Sequence, residues 1–304
     1  IYAGAVPVFA DVRSEDYTLD PNAVEAAITD RTRGVICVHL GASVCDMDRL
    51  TSLCQDRGLL LVEDCAHMHG AAWRDRGVGS WGDFGSFSFQ TSKLMTAGEG
   101  GIVLARDEMH EKRLQSLVNC GRREFGYADA DVEWLGYNLR ITEFQAALLR
   151  AQLARLDEQN RSRVAGFQRL EAALGEIPGV STLDVDDRVT RRAGYQFIFR
   201  FDRGAFADRG KDRILAALRA EGIPADEGYE PLNRNHELLP ANAMDQWYDP
   251  GVPQPSFDGA GCPVAAQASD ESIWLPHELF LGPPQDVDDV AEAVRKVQQR
   301  ASEL

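Results

Sequence analysis

In the stretch "SFSFQTSKLMTAGEGG", residues 86–101, a single lysine stands among small, hydroxylated and glycine residues. Lys93 has two readings. It is a solvated loop lysine, or an amine that attacks a carbonyl. Asp64 closes the apolar run "LLLVED", and Ser88 lies five positions before Lys93. An acid at that place either caps the next element or lines the crevice at the carboxyl ends of parallel strands. Amine, carboxylate and hydroxyl together form the set that pyridoxal 5′-phosphate requires. The amine forms a Schiff base with the cofactor aldehyde, and the carboxylate keeps the pyridine nitrogen protonated so that the ring accepts electrons. Hydroxyls and backbone N–H groups hold the phosphate. Residue types alone leave both readings open.

The elements around these residues narrow the choice. "VPVFADV" (6–12), "GVICVHL" (34–40) and "LLLVEDC" (59–65) are short, β-branched and almost continuously apolar. Such runs predict strands buried on both faces of a parallel sheet. Between them lie two helical segments, one starting at Asp20 and Pro21, the other closed by Gly58. Strand–helix–strand alternation predicts right-handed βαβ units. Strands are expected again at 84–89 and 100–106, flanking the lysine loop, and helices at 108–120 and 142–166. Beyond, 194–202 reads as a strand, 210–223 as a helix, and the C-terminus as a further helix. The fold class is thus α/β, with a large domain over 1–160 and a smaller α+β domain over 161–304. The stretch 224–264 reads as an irregular loop with room for function.

Four blocks, in order, carry a family resemblance: "GAVPVFADV…YTLDPNAVEAAITDRTRGVICVHL", "VEDCAHMHGAAW", "GDFGSFSFQTSKLMTAGEGG" and "GYNLRITEFQAALLRAQL". Together they resemble the DegT/DnrJ/EryC1/StrS family of sugar aminotransferases. The resemblance implies the aspartate-aminotransferase-like fold (fold type I) and pyridoxal 5′-phosphate as cofactor. It implies Lys93 as the Schiff-base lysine, Asp64 as the partner of the pyridine nitrogen, His67 beside the cofactor's ring oxygen and Ser88 on the phosphate. It places Asn138 at the phosphate of a neighbouring subunit, hence a homodimer with shared sites. Gln90 departs from relatives that carry His there. Family members that dehydrate sugars have histidine in place of the lysine, so Lys93 implies transamination, from L-glutamine or L-glutamate to a cyclic ketone. "YEPLNRNHEL" and "IWLPHELFLG" resemble the aminocyclitol branch, and Tyr229, Asn233, Arg234 and His277 are expected at the substrate. Two alternatives remain: a 3-amino-5-hydroxybenzoate synthase, which performs an aromatising dehydration, and a non-catalytic cofactor-binding sensor.

Other classes are disfavoured. A formal charge of −16 over 304 residues opposes non-specific binding to nucleic acid or anionic membrane. No apolar run approaches the roughly 18 residues that a membrane helix needs. The six cysteines show no CxxC pairing, so free and mostly buried thiols in a cytoplasmic protein are expected. His67 and His69 lie two apart without a second ligand pair of matching spacing, and no metal site is expected. The chain opens at Ile1 without methionine, on what reads as a strand. An upstream segment carrying the family's Gly-Thr/Ser phosphate turn and a stacking aromatic is therefore expected.

Overall fold

The computed structural model describes residues 1–122, 135–235 and 261–304. Helix α1 (Pro21–Ala27) starts where Asp20 accepts the Asn22 N–H and Pro21 supplies a preset φ. Strand β1 (Gly34–Val38) leads to α2 (Met47–Arg57), capped by Asp46 and ended by Gly58 at φ 62°. The chain then returns as β2 (Leu60–Asp64), parallel to β1, with Val38 opposite Asp64. The expected βαβ unit is present. A small hairpin, β3 (Ala72–Trp73) and β4 (Arg76–Gly77), precedes β5 (Phe84–Ser88), parallel to β2. Strand β6 (Gly101–Ala105) runs antiparallel to β5 and closes a sheet of order β1-β2-β5-β6. Asp64 and Ser88 thereby emerge at the same edge, the carboxyl ends of parallel strands.

Residues 6–12 form no strand, which corrects the sequence expectation. Their bridge is Val12 to Leu19, across a turn where Tyr17 takes φ 59°. Asp11 is turned instead to the Val264 and Ala265 N–H groups, each at 2.9 Å. The parallel strands also differ from expectation in being covered on one face. Strand β1 alternates exposed and buried, and Ile36, Val38 and Leu60, with Val103 of β6 in register on the same face, are exposed. The opposite face packs Cys37, Leu61 and Cys65 with Leu50 and Cys54 of α2.

Helix α3 (Glu108–Val118) follows β6. Helix α4 (Glu143–Leu174) begins with Thr142 and Gln145 satisfying each other's backbone in a capping box, and runs unbroken past residue 160. Its Leu156 belongs to the core of the first sheet, and its Phe167, Leu170 and Leu174 to a second core. That second core lies under β7 (Val180–Thr182), β9 (Gln196–Phe201) and β10 (Ser272–Pro276), an antiparallel sheet of order β10-β9-β7. Helices α5 (Lys211–Ala220) and α7 (Pro284–Gln299) cover it, while β8 (Val189–Arg191) joins the β3–β4 hairpin and α6 (Pro263–Glu271) precedes β10. All six cysteines are free; Cys120 is exposed and the other five are buried.

One buried carboxylate fixes the loop between β4 and β5. Glu63, fully buried on β2, accepts the N–H groups of Gly79, Trp81 and Gly82, each at 2.7 Å. His39 Nε2 lies 3.2 Å from the same carboxylate. Cys65 completes a cluster with His39 and Glu63 within 4.8 Å, but the carboxylate oxygens are taken up by N–H donors, as in a structural ion pair. Gly85 must lack a side chain because a Cβ would sit 2.1 Å from the Gly79 carbonyl oxygen. Replacing Glu63 by Ala strands three N–H groups and a buried histidine, which should cost about 3–5 kcal/mol. Urea unfolding of Glu63→Ala measures this, and a loss under about 1 kcal/mol would refute the loop's dependence on the carboxylate.

Candidate active site

The loop after β5 is built by its own side chains. Gln90 Oε1 accepts both the N–H and the hydroxyl of Ser92, at 2.9 and 2.7 Å, and the Lys93 N–H reaches the Gln90 carbonyl at 3.0 Å. Gln90 therefore shapes the turn that presents the lysine. From α4, Gln152 reaches the backbone of Thr96 and Gln145 the carbonyl of Glu99. The loop is pinned at both ends.

Lys93 is half-buried, and among the described residues its amine forms no ion pair. Its Nζ lies 4.3 Å from the centroid of the Tyr195 ring. An aromatic face attracts a cation without donating or accepting its proton. Burial pulls the Lys93 amine below the usual lysine range, and the carboxylate of Asp64 opposes that pull. Asp64, at the end of β2, also accepts the Ala66 N–H at 3.0 Å. The pair combines an amine inclined to lose its proton with a carboxylate near it, a setting for nucleophilic attack on a carbonyl.

Tyr195 was not singled out by the sequence. Only the fold brings it from before β9 to the lysine, where its hydroxyl lies 2.6 Å from Ser92 Oγ. Its ring also meets that of His67, with centroids 4.5 Å apart. His67 is buried and accepts the Gly41 N–H on Nδ1 at 3.2 Å, so its proton sits on Nε2, facing the Tyr229 hydroxyl at 3.4 Å. Burial, and to a lesser degree the charges of Lys93 and His69, push His67 down to about 3. His69 donates from Nε2 to the Ser88 carbonyl at 2.8 Å and falls to about 4, chiefly through burial. Both rings are neutral at pH 7.

The remaining predicted residues are spread. Ser88 ends β5 half-buried, its hydroxyl accepting the Gln90 N–H at 3.3 Å. Tyr229 stands beside His67 and packs edge-on against Trp274. Asn233 is buried in the turn that precedes the undescribed stretch, and Arg234 is exposed there, its charge near the Cys262 thiol. His277 is buried beneath the lysine loop, with Nε2 2.9 Å from the Ser92 carbonyl. Asn138 lies on an exposed stretch and is bridged by backbone to Asn119. The structure thus groups Lys93, Asp64, His67, Ser88 and Tyr229, adds Tyr195, sets His277 behind them, and leaves Asn138 at the surface.

Comparison with known proteins identifies the family. The model of the DegT/DnrJ/EryC1/StrS aminotransferase family matches residues 1–295. The chain is 43% identical over 314 aligned positions to a Streptoalloteichus tenebrarius protein named "Putative L-glutamine:3-amino-2,3-dideoxy-scyllo-inosose aminotransferase", covering all of this chain and 74% of that one. It is 38% identical to the L-glutamine:scyllo-inosose aminotransferase of Streptomyces griseus, across 99% of this chain and 73% of the relative. Among solved structures, 3-amino-5-hydroxybenzoic acid synthase superposes with a TM-score of 0.82 at 35% identity, over 98% of this chain and 75% of that one.

The two depressed histidines set an acid sensitivity. An unfolded histidine binds a proton below about pH 6.5, whereas folded His67 stays neutral until about 3. The unfolded state therefore binds more protons between those values, and stability falls as pH falls through the window. His67 contributes about 1.4 kcal/mol per pH unit well inside it. Urea unfolding between pH 6 and pH 4 should show a shallower pH slope for His67→Gln by about that amount, and equal slopes would place His67 in water.

Proposed function

This chain belongs to the DegT/DnrJ/EryC1/StrS aminotransferase family, and from that premise we propose that it uses pyridoxal 5′-phosphate to move the amino group of L-glutamine or L-glutamate onto a cyclic ketone of the cyclitol class. The observation that carries the reading is the Lys93 amine, half-buried against an aromatic face, lowered by burial and within the field of Asp64. The donor set suits the cofactor: an amine for its aldehyde, an acid for its ring nitrogen, and the Ser88 hydroxyl for its phosphate. His69 Nδ1, buried with no hydrogen-bond partner among the described residues, adds a polar atom behind this group. When bound, pyridoxal 5′-phosphate supplies the carbonyl that accepts the amino group and a ring that delocalises the electrons left at the substrate carbon.

Lys93 Nζ would hold the cofactor through its aldehyde carbon and, as a free amine, would carry a proton from the substrate α-carbon to that cofactor carbon, as general base and then acid. Asp64 would face the pyridine nitrogen. His67, neutral and packed on Tyr195, would stand beside the cofactor's ring oxygen. Tyr229, with Asn233 and Arg234 in the turn beyond it, contacts ring hydroxyls of the acceptor. His277, expected from the sequence at the substrate, is assigned instead to the support of the lysine loop. A second reading, aromatising dehydration, draws on the likeness to 3-amino-5-hydroxybenzoic acid synthase; an ultraviolet-absorbing aromatic product without consumption of an amine donor would establish it. Free buried thiols and biosynthetic relatives support a cytoplasmic setting.

Assembly as a homodimer with shared sites is part of the proposal. Asn138 is exposed on its own chain amid exposed Leu135, Tyr137, Leu139 and Phe144. A surface so apolar suits burial by a second subunit, which would carry Asn138 to the neighbour's phosphate.

Two outcomes follow. The loaded protein should be yellow and bleach with L-glutamine or L-glutamate, and borohydride reduction with peptide mapping should place the pyridoxyl group on Lys93. Label on Lys112 or Lys211 instead would overturn the assignment. For the shared site, Lys93→Ala and Asn138→Asp subunits, each inactive alone, should regain activity when refolded together. Proven heterodimers without activity would confine Asn138 to its own chain.

A further inference from the structure

Four buried side chains behind the lysine loop form one continuous hydrogen-bonded line. His69 Nε2 donates to the Ser88 carbonyl at 2.8 Å. The carbonyl of His69 accepts from Asn160 Nδ2, also at 2.8 Å, and Asn160 Oδ1 accepts from Arg163 Nη1 at 3.1 Å. Arg163 Nε lies 3.2 Å from His277 Nδ1, and His277 Nε2 lies 2.9 Å from the Ser92 carbonyl. The line starts and ends on the backbone of the same loop, at the two serines that bracket the turn into Lys93. His69, Asn160, Arg163 and His277 are all buried, Arg163 to 1% exposure. Gly70 makes room for it, since a Cβ there would stand 2.9 Å from Asn160 Nδ2.

The chemistry of the arginine gives this line a direction. A guanidinium has only donors and keeps its charge at neutral pH. Facing Nε–H, His277 Nδ1 has to accept, so its single proton sits on Nε2. In that tautomer Nε2 is a donor, which the Ser92 carbonyl needs. Were the proton on Nδ1, Nε2 would face that carbonyl lone pair to lone pair. Ser92 in turn holds the Tyr195 hydroxyl at 2.6 Å, and the Tyr195 ring lies against the Lys93 amine.

We propose that Arg163 is a positioning residue for Lys93: by fixing the tautomer of His277 it anchors the Ser92 carbonyl and keeps the amine withdrawn over Tyr195. The line also joins two parts of the fold, because Arg163 and Asn160 belong to α4 and His277 follows β10 of the second sheet. The inference rests on Lys93 being the working amine. Its readout is nonetheless the amine itself in the cofactor-free chain, so it fails separately from the assignment of cofactor or substrate.

The probe is acetic anhydride, with acetylation of Lys93 followed by peptide mapping as a function of pH. The groups facing the amine are Asp64 from β2, His67 and His69 from the segment after it, and Tyr195 from before β9. Glu278 Oε1, 3.4 Å from His277 Nε2, is the charged neighbour on the histidine's own element. Loosening the loop returns the amine toward water, so the acetylation midpoint should move to higher pH, with tenfold less free amine at neutral pH for each unit of movement. Arg163→Met and Arg163→Lys should both move it upward, the second keeping a buried cation while removing the paired donors. His277→Phe should do the same, whereas His277→Gln, which retains a donor for Ser92, should leave it in place. In the His277→Phe background, Arg163→Lys should add no further movement. An unmoved midpoint in a folded Arg163→Lys protein, or additive movements in the double variant, would overturn the proposal.

Discussion

An ammonium group half-withdrawn from water, resting on an aromatic face and without an ion pair among the described residues, sets what the surrounding structure must do. Desolvation favours the neutral amine, and the nearby carboxylate of Asp64 favours the charged one. That balance is sensitive to small displacements, because an amine that swings into water regains its ordinary basicity. The loop carrying Lys93 is accordingly tied from within by Gln90, from the side by Gln145 and Gln152, and from behind by His69 and His277. The amine keeps this setting only as long as its loop stays still.

The same economy of buried polar groups governs the floor of the site. Glu63 gathers three backbone N–H groups into one carboxylate and draws the loop at 79–82 onto β2, next to the residue, Asp64, that faces the lysine. The burial that would push a lone carboxyl up is more than offset by the His39 ring and the Gly82 and Gly79 N–H groups, so Glu63 stays below its ordinary range. The strand end that carries Asp64 is thus held by the side chain just before it.

Helix α4 connects these features. Its first turns reach the lysine loop, its middle supplies Asn160 and Arg163, and its last turns enter the second core through Phe167, Leu170 and Leu174. The expected division at residue 160 falls inside this helix, so the two cores share one rigid element. Across the molecule, Ile36, Val38, Leu60 and Val103 leave one sheet face apolar and exposed, and Leu135, Tyr137 and Phe144 are exposed near Asn138. Surfaces of this kind mark where other polypeptide packs.

What the sequence determined by itself was local or chemical in kind. Asp20–Pro21 and Gly58 marked helix ends because capping and positive φ depend on a few adjacent residues. The βαβ order followed from alternating apolar runs, and the lysine, acid and serine declared themselves by type and by their place at strand ends. Periodicity misled at residues 6–12, because an apolar run becomes a strand only where a neighbour offers its backbone, and Asp11 went instead to the start of α6. Nor could spacing reveal Tyr195, more than a hundred positions from Lys93, or the line from Asn160 through Arg163 to His277. An asparagine and an arginine on a long amphipathic helix read as solvated residues until packing buries them. Those contacts exist only once α4 and β10 close behind the loop, since hydrogen bonds between distant side chains are set by tertiary packing and leave no period in the chain.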